Sequence, residues 1–157
     1  MNKKNSFEIT KKVKFHMGHR IPNHKSKCRH LHGHTYFCLV TMQGELENSR
    51  SSSDEGMVLD FGDLKSLVSD FINEKLDHGF MVYKGDTEVV DFLKKMKSKN
   101  TVVPFIPTAE NIAKFLFDTF HRIFAENLDN YPLKCVIKSV KVFETPNSDA
   151  EYFNPNL

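Results

Sequence analysis

The apolar residues of this chain change their spacing twice, and that change constrains the fold more than any other feature. From Phe7 to Phe15 they fall at every second position, which predicts a half-buried strand that continues to about His19. Aromatic and β-branched residues, or renewed alternation, predict strands over three further segments: 32–46, 135–145 and the neighbourhood of 151–153. Strands are therefore expected at both ends of the chain.

The middle of the chain has helical spacing instead. Apolar residues from Phe61 to Leu76 recur at every third or fourth position, and Asp60 supplies an N-cap. A second helix is predicted to begin after Thr108 as its N-cap, and residues 86–99 between the two suit a short amphipathic helix. The order ββααββ predicts an α+β fold in which an antiparallel sheet carries helices on one face.

Length, charge and cysteine content exclude several classes of protein. The 157 residues contain no internal repeat and predict a single domain over 1–157. A net charge of +2 argues against nucleic-acid binding through a basic surface. No run approaches the ~20 apolar residues of a membrane span, and the basic N-terminus lacks a signal peptide's apolar core. Three cysteines cannot all pair with one another, so a closed set of disulfides is not indicated. Together with the lack of an apolar span and of a signal-peptide core, this predicts a cytoplasmic protein with no membrane partner.

Histidines are concentrated near the first predicted turn. Of the eight in the chain, His32 and His34 are two residues apart on a predicted strand and therefore point to one face. His19 ends the preceding strand and is the expected third ligand of a metal ion. Three imidazoles that leave one position open are typical of catalytic zinc rather than structural zinc. The alternative is that these are ordinary polar or hydrogen-bonded side chains.

One of the three cysteines lies beside this cluster. Cys28 precedes His32 by four residues, and a thiol close to a divalent cation favours the thiolate form that can act as a base. Alternatively, Cys28 is a fourth ligand that closes a structural site. Cys38 and Cys135 lie in apolar strands and are expected to be buried.

Four further residues could take part in acid–base chemistry or ligand binding. Asp77 and His78 end the first predicted helix, where a carboxylate can orient an imidazole, although such a histidine is more often a helix cap. Glu110 lies in the first turn of the second helix, where the helix dipole alone favours an acid. Glu144 ends a strand and is either solvated or free to accept two parallel N–H bonds from a guanine-like ring.

Six ordered motifs cover nearly the whole chain: FHMGHRI, CRHLHGHTY, GMVLDFGDLK, LDH, PTAENIA and VKVFET. Together, from Phe7 to Phe153, they resemble the 6-pyruvoyltetrahydropterin synthase and 6-carboxytetrahydropterin synthase family. The resemblance implies the T-fold, a four-stranded antiparallel sheet with two helices on one face. It also implies a homo-oligomer, a trimer or a dimer of trimers, with active sites between subunits.

The resemblance also assigns roles to residues by position. It implies that the zinc ligands are His19, His32 and His34. Cys28 would be the catalytic thiolate, and Asp77 with His78 would form a proton relay. Three residues would line the pterin pocket: Glu144, which anchors the ring, Glu110 and Thr108. Cationic neighbours of the substrate triphosphate would come from the same loop as Cys28: Lys25, Lys27 and Arg29.

The segment LDFGDLK indicates which reaction the resemblance implies. It is more similar to bacterial 6-carboxytetrahydropterin synthases than to animal 6-pyruvoyl enzymes. The implied reaction converts 7,8-dihydroneopterin triphosphate to 6-carboxy-5,6,7,8-tetrahydropterin, with release of acetaldehyde and triphosphate, in queuosine and 7-deazapurine biosynthesis. The alternatives are 6-pyruvoyltetrahydropterin synthase activity and a non-catalytic zinc-binding T-fold protein. The connection 84–106 is longer than in compact family members and is expected to be peripheral.

Overall fold

The computed structural model describes residues 5–127 and 135–157. Two long strands, β1 (Phe7–His19) and β2 (His32–Gly44), pair antiparallel along their whole length, with His19 opposite His32. Alternate residues of both strands are buried, as the sequence pattern predicts. A single turn of 3₁₀ helix, Lys27–Arg29, interrupts the loop between them.

Three α-helices follow the predicted positions: α1 (Phe61–Phe71), α2 (Thr87–Lys95) and α3 (Ala109–Glu126). Both predicted N-caps are formed, since Asp60 accepts from the Gly62 N–H at 2.6 Å and Thr108 accepts from the Asn111 N–H at 3.4 Å. The first helix does not stay regular to Leu76. It widens into a π-helix over Ile72–Leu76.

The sheet has six strands, so the expected count of four was too low. Two short strands, β3 (Gly79–Tyr83) and β4 (Asn100–Val103), flank α2 and are parallel to each other. The sequence of β3 shows no alternation because that strand is covered on both sides: Met81 belongs to the main core and Val82 to a second cluster with α2. A strand buried on both faces gives a continuous apolar run instead of a two-residue period.

The two remaining strands, β5 (Cys135–Thr145) and β6 (Ser148–Phe153), complete a sheet of order β4-β3-β1-β2-β5-β6. The α+β class and the antiparallel arrangement of β1, β2, β5 and β6 are confirmed. The pairs β1/β3 and β3/β4 are parallel, with α2 as the crossover between β3 and β4. Helices α1 and α3 contribute to one core with the buried face of the sheet.

Both ends of the antiparallel part of the sheet have open strand edges. β3 pairs with β1 only at Met17 and Gly18, so in the described part of the chain the earlier residues of β1 have no strand on that side. β6 is the terminal strand at the other end. Among the described residues, no helix is long and apolar enough to span a membrane.

Candidate metal and active site

Three histidines converge where β1 ends and β2 begins. Antiparallel pairing places His19 opposite His32, and His34 follows two residues later on the same face. The ring centroids are 4.6 Å apart for His19 and His32, 5.2 Å for His19 and His34, and 5.0 Å for His32 and His34. One nitrogen from each ring lies within 4.8 Å of the others. The structure therefore brings together the three residues expected to bind metal.

Backbone carbonyls fix the orientation of two of these rings. Nδ1–H of His19 donates to the carbonyl of Pro107 at 2.8 Å, and Nδ1–H of His32 donates to the carbonyl of His30 at 2.7 Å. A carbonyl can only accept, so Nδ1 carries the proton and Nε2 keeps its lone pair. This is the usual outer-shell arrangement of a metal-binding histidine.

Burial and charge further suit these histidines to a cation. Nε2 of His19 is buried and has no hydrogen-bond partner among the described residues. Burial lowers the pKa of His19, outweighing the opposing effects of the Pro107 hydrogen bond and the Glu144 charge, and burial also lowers the pKa of His34. Both rings are thus held in the neutral, ligating form. An orphaned buried nitrogen among neutral imidazoles fits a divalent metal.

Glu144 lies between the histidine cluster and a neighbouring cavity. Its Oε1 is 3.3 Å from Nε2 of His19 and 3.9 Å from Nε2 of His34, and it accepts a long hydrogen bond of 3.5 Å from the Tyr36 hydroxyl. Burial, followed by the Glu144 charge, raises the pKa of Tyr36, which therefore remains a donor. The structure thus places a carboxylate beside the three histidines and at the edge of this cavity.

The three residues expected to line a pterin pocket share one cavity. Glu144, Thr108 and Glu110 border a space of about 380 Å³, together with Ile21 and His24 from the loop after β1. Thr108 and Glu110 are brought there by the N-terminus of α3. The lining thus includes three carboxylates, the third from Asp149, and such a set can accept several N–H bonds from a planar heterocycle.

Cys28 lies in the 3₁₀ turn of the same loop and is partly exposed. Its carbonyl accepts from the Ile21 N–H at 2.8 Å. In the described chain, the group of ligand atoms that could hold a metal contains the three histidines without Cys28. Cys38 and Cys135 are buried as expected, and burial raises the pKa of Cys135 to about 11.

Asp77 and His78 are held in a constrained turn after the π-helix. Asp77 N–H donates to the Ile72 carbonyl at 2.8 Å, and His78 adopts a left-handed φ of 57°. Non-glycine residues in this region, like π-helical turns, are frequent at functional sites. The carboxylate of Asp77 accepts from the backbone N–H of His16 at 2.7 Å and from Nδ1–H of His78 at 2.8 Å. Partial burial raises the pKa of Asp77, but these two bonds hold it below its usual value.

Asp77 and His78 are not brought to the histidine cluster of the same chain. The ring of His16 contacts that of His78, with centroids 5.6 Å apart, and Nδ1 of His16 is 3.1 Å from the Thr35 hydroxyl. His16 and Thr35 alternate with the buried face of β1 and β2, so they lie on the opposite side of the sheet from His19 and His34. A space of about 400 Å³ opens there, and it is lined by His16, Thr35 and His78 together with His34, the neighbour of Thr35 on β2.

Sequence reasoning missed several residues of this site. His16 was not expected to contact Asp77, and the carbonyl of Pro107 carries no residue-specific signal. Tyr36 could have been found, because it continues the alternation of His32 and His34 on one strand face.

Comparison with known proteins gives consistent matches over nearly the whole chain. A family model described as 6-pyruvoyl tetrahydropterin synthase matches residues 8–155. A 6-carboxy-5,6,7,8-tetrahydropterin synthase of Haemophilus influenzae is 36% identical over 149 residues, covering 93% of this chain and 98% of the relative. A protein of the same name from Aquifex aeolicus is 33% identical, covering 93% of this chain and 97% of the relative.

Solved structures share the fold. An uncharacterized protein from Wolinella succinogenes matches with a TM-score of 0.76 at 25% identity, covering 96% of this chain and 99% of that one. The 6-pyruvoyl tetrahydropterin synthase of Caenorhabditis elegans matches with a TM-score of 0.66 at 23% identity, covering 98% and 99%. The expected fold family is therefore confirmed, with the strand count corrected as above.

Proposed function

The chain belongs to the 6-pyruvoyl tetrahydropterin synthase family, and on that basis we propose that it is a zinc-dependent carbon–carbon lyase of pterin metabolism. The proposed reaction consumes 7,8-dihydroneopterin triphosphate and one water molecule, and it yields 6-carboxy-5,6,7,8-tetrahydropterin, acetaldehyde and triphosphate. Relatives named for the 6-carboxy product reach 36% identity, whereas the C. elegans structure named for the 6-pyruvoyl product stands at 23%. This difference favours the 6-carboxy reaction.

The metal would be held by His19, His32 and His34, with one coordination position left for substrate. Zinc in such a site supplies Lewis acidity, which makes carbon-bound protons next to a coordinated oxygen easier to remove. The observation that carries this assignment is the orientation of the rings. Two Nδ1–H groups are bound to carbonyls, and the buried Nε2 of His19 has no hydrogen-bond partner in the described chain.

The chain's own residues would bind the substrate and move its protons. Glu144 and Glu110 would accept N–H bonds from the pterin ring and fix its side chain near the three histidines. Cys28 would take a proton on one side of that side chain. His78, oriented by its 2.8 Å bond to Asp77, would exchange a proton on the other.

The proposed roles of Cys28 and His78 in one active site require more than one chain. Within one subunit the sheet separates His78 from the histidine cluster, so the relay pair would act in the site of a neighbouring subunit. The open edges of β1 and β6 offer backbone groups through which copies can join into a continuous sheet. We therefore propose a homo-oligomer, a trimer or a dimer of trimers, built from single-domain chains of residues 1–157.

The wider setting follows from the same family assignment. We propose a cytoplasmic enzyme that supplies queuosine or other 7-deazapurine biosynthesis. Its partners would be the pterin triphosphate and other copies of the chain, with neither a nucleic acid nor a membrane among them. The cations of the Cys28 loop, Lys25, Lys27 and Arg29, are candidates for binding the triphosphate.

A product assay with a metal count tests the proposal. The purified protein is incubated with 7,8-dihydroneopterin triphosphate, and products are identified by mass while bound metal is measured. The expected result is the carboxypterin with acetaldehyde, and about one zinc ion per chain. A 6-pyruvoyl product without acetaldehyde would establish the alternative synthase, and no turnover would contradict enzymatic function.

Cys28→Ala separates the catalytic role from a structural one. The variant should keep its fold and its zinc but lose product formation, because only the base is removed. Loss of zinc together with folding would instead identify Cys28 as a fourth ligand. Cys38→Ala, at a buried position away from the histidines, is the matched control for cysteine removal.

A further inference from the structure

A bidentate ion pair links the metal-binding strand to the connection between β3 and β4. Arg20 follows His19 directly, and its Nε and Nη2 donate to the two carboxylate oxygens of Asp86 at 2.5 and 2.7 Å. The Asp86 side chain is only 5% exposed, and that of Arg20 is 27% exposed. This paired geometry fixes the guanidinium in direction as well as in distance.

The same guanidinium reaches across the loop between β1 and β2. Its Nη1 makes a long contact of 3.5 Å with the carbonyl of Arg29, the residue after Cys28. Beside it, the Ile21 N–H donates to the Cys28 carbonyl at 2.8 Å. Arg20 therefore links its own arm of the loop to the residue that follows Cys28 in the other arm.

Asp86 occupies a position where an aspartate carboxylate ordinarily caps the N-terminus of the helix. It is the N-cap of α2, and Asp is strongly preferred there because its side chain can accept an N–H of the first turn. In this structure, the side chain makes no such capping bond and is used by Arg20 instead. The loss of a cap indicates that the contact with Arg20 serves a purpose beyond local helix stability.

The segment that carries Asp86 is itself well anchored. The Asp86 N–H donates to the Tyr83 carbonyl at 2.9 Å, and its carbonyl accepts from the Val90 N–H at 3.0 Å. One face of α2 packs on β3 through Val90 and neighbouring residues of the second cluster. The backbone at Asp86 is therefore well anchored, so its side chain can hold the loop 20–31 through Arg20.

We propose that Asp86 is a positioning residue, which acts through Arg20 to hold the loop 20–31 so that Cys28 faces the histidine cluster. This inference rests on the proposed function only in taking Cys28 as the reactive thiol. The proposal also assigns a role to the long connection 84–106, because Asp86 in that connection supports the active-site loop.

Trypsin cleavage tests the loop directly and without substrate. Asp86→Asn removes the charge but keeps the size of the side chain, and Asp91→Asn on the exposed side of α2 is the matched control. Cleavage after Lys25 and Lys27 should rise on the order of tenfold in Asp86→Asn, because local opening of the loop becomes easier. Cleavage after Lys114 in α3 reports global unfolding and should not rise in parallel.

Two further measurements connect the loop to Cys28. The alkylation rate of Cys28 by iodoacetamide should increase together with loop cleavage in Asp86→Asn. With substrate, kcat should fall by about tenfold or more while KM stays nearly unchanged, because misplacing a catalytic group costs rate after binding. Asp86→Glu, which retains the charge, should recover part of kcat. If Asp86 only stabilised the fold, kcat would not fall while KM stayed nearly unchanged.

Each of these results either supports or overturns the proposed role of Asp86. Unchanged loop cleavage and alkylation in folded Asp86→Asn would overturn the inference, as would equal acceleration at Lys25 and Lys114. If Asp86→Asn does not fold, Arg20→Lys replaces it, since lysine keeps the charge but loses the paired donors. A wild-type protein that makes no carboxypterin would refute the proposed function, whereas the cleavage result would stand independently.

Discussion

Replacing Gly18 by alanine tests how closely β3 packs against β1. A Cβ on Gly18 would lie 2.9 Å from Cε2 of Phe80, closer still to its Cδ2, and 3.3 Å from the carbonyl of His32. Carbon atoms in contact are ordinarily about 3.5–4.0 Å apart, so the ring must retreat by about 1 Å. Phe80 is paired in register with Gly18 and packs against the cluster under α2, which limits that movement.

The expected cost is that of overpacking, about 1–3 kcal/mol of unfolding free energy. For a chain of this length, a loss of 2 kcal/mol lowers Tm by roughly 4–8 °C. Activity should fall as well, because Phe80 stands two residues after His78 and its displacement moves that turn.

A double-mutant cycle identifies the cause. In a Phe80→Ala background the obstacle is gone, and alanine is favoured over glycine within a strand by roughly 0.5–1 kcal/mol. Gly18→Ala should therefore be neutral or stabilising there. Urea unfolding of all four proteins, at one protein concentration and with metal removed, measures the coupling. An equal loss in both backgrounds would refute the reasoning and place the clash at the His32 carbonyl.

Three further predictions follow from the site. A metal present at a hundred times its Kd stabilises the folded protein by about 2.7 kcal/mol, so its removal with EDTA should lower Tm by roughly 5–11 °C. An unchanged Tm would contradict a metal held by the histidines of the folded protein. The pKa of Asp77 is lowered in the folded state, so its contribution to stability is present above about pH 4 and is lost as the pH falls through the folded value. In urea titrations between pH 5 and 3, the metal-free protein should lose more stability than Asp77→Asn, and parallel curves would contradict this. Native protein should expose one rapidly reacting thiol, Cys28, and all three after denaturation, because Cys38 and Cys135 are buried; rapid reaction of two or three native thiols would be inconsistent with the described core.

The parts of the structure that could be predicted are those with a strong local signal. Strands β1, β2 and β5 are covered on one face only, so alternation marks them, and the caps at Asp60 and Thr108 are chemical signatures within one turn of helix. The histidine cluster could also be predicted, because the antiparallel pairing of two consecutive strands places His19 opposite His32.

What could not be predicted depends on contacts between distant segments. β3 is covered on both faces and thus has no period, so its five residues resembled part of a connection. Arg20 and Asp86 are 66 residues apart, and nothing in either neighbourhood indicates their pairing. The position of Asp77 and His78 behind the sheet also depends on how β3 docks beside β1.

The hydrogen bond from His19 to Pro107 has a consequence for the order of folding. The β1–β2 hairpin alone brings the three imidazoles together, and such hairpins form within microseconds. The carbonyl that fixes the ring of His19, however, comes from 88 residues farther along the chain, just before α3. A nascent chain can therefore present the imidazoles early, but it acquires the oriented, buried form of the cluster only once α3 has docked. If the cluster binds metal as proposed, tight binding is accordingly a late step that marks chains in which distant segments have already assembled.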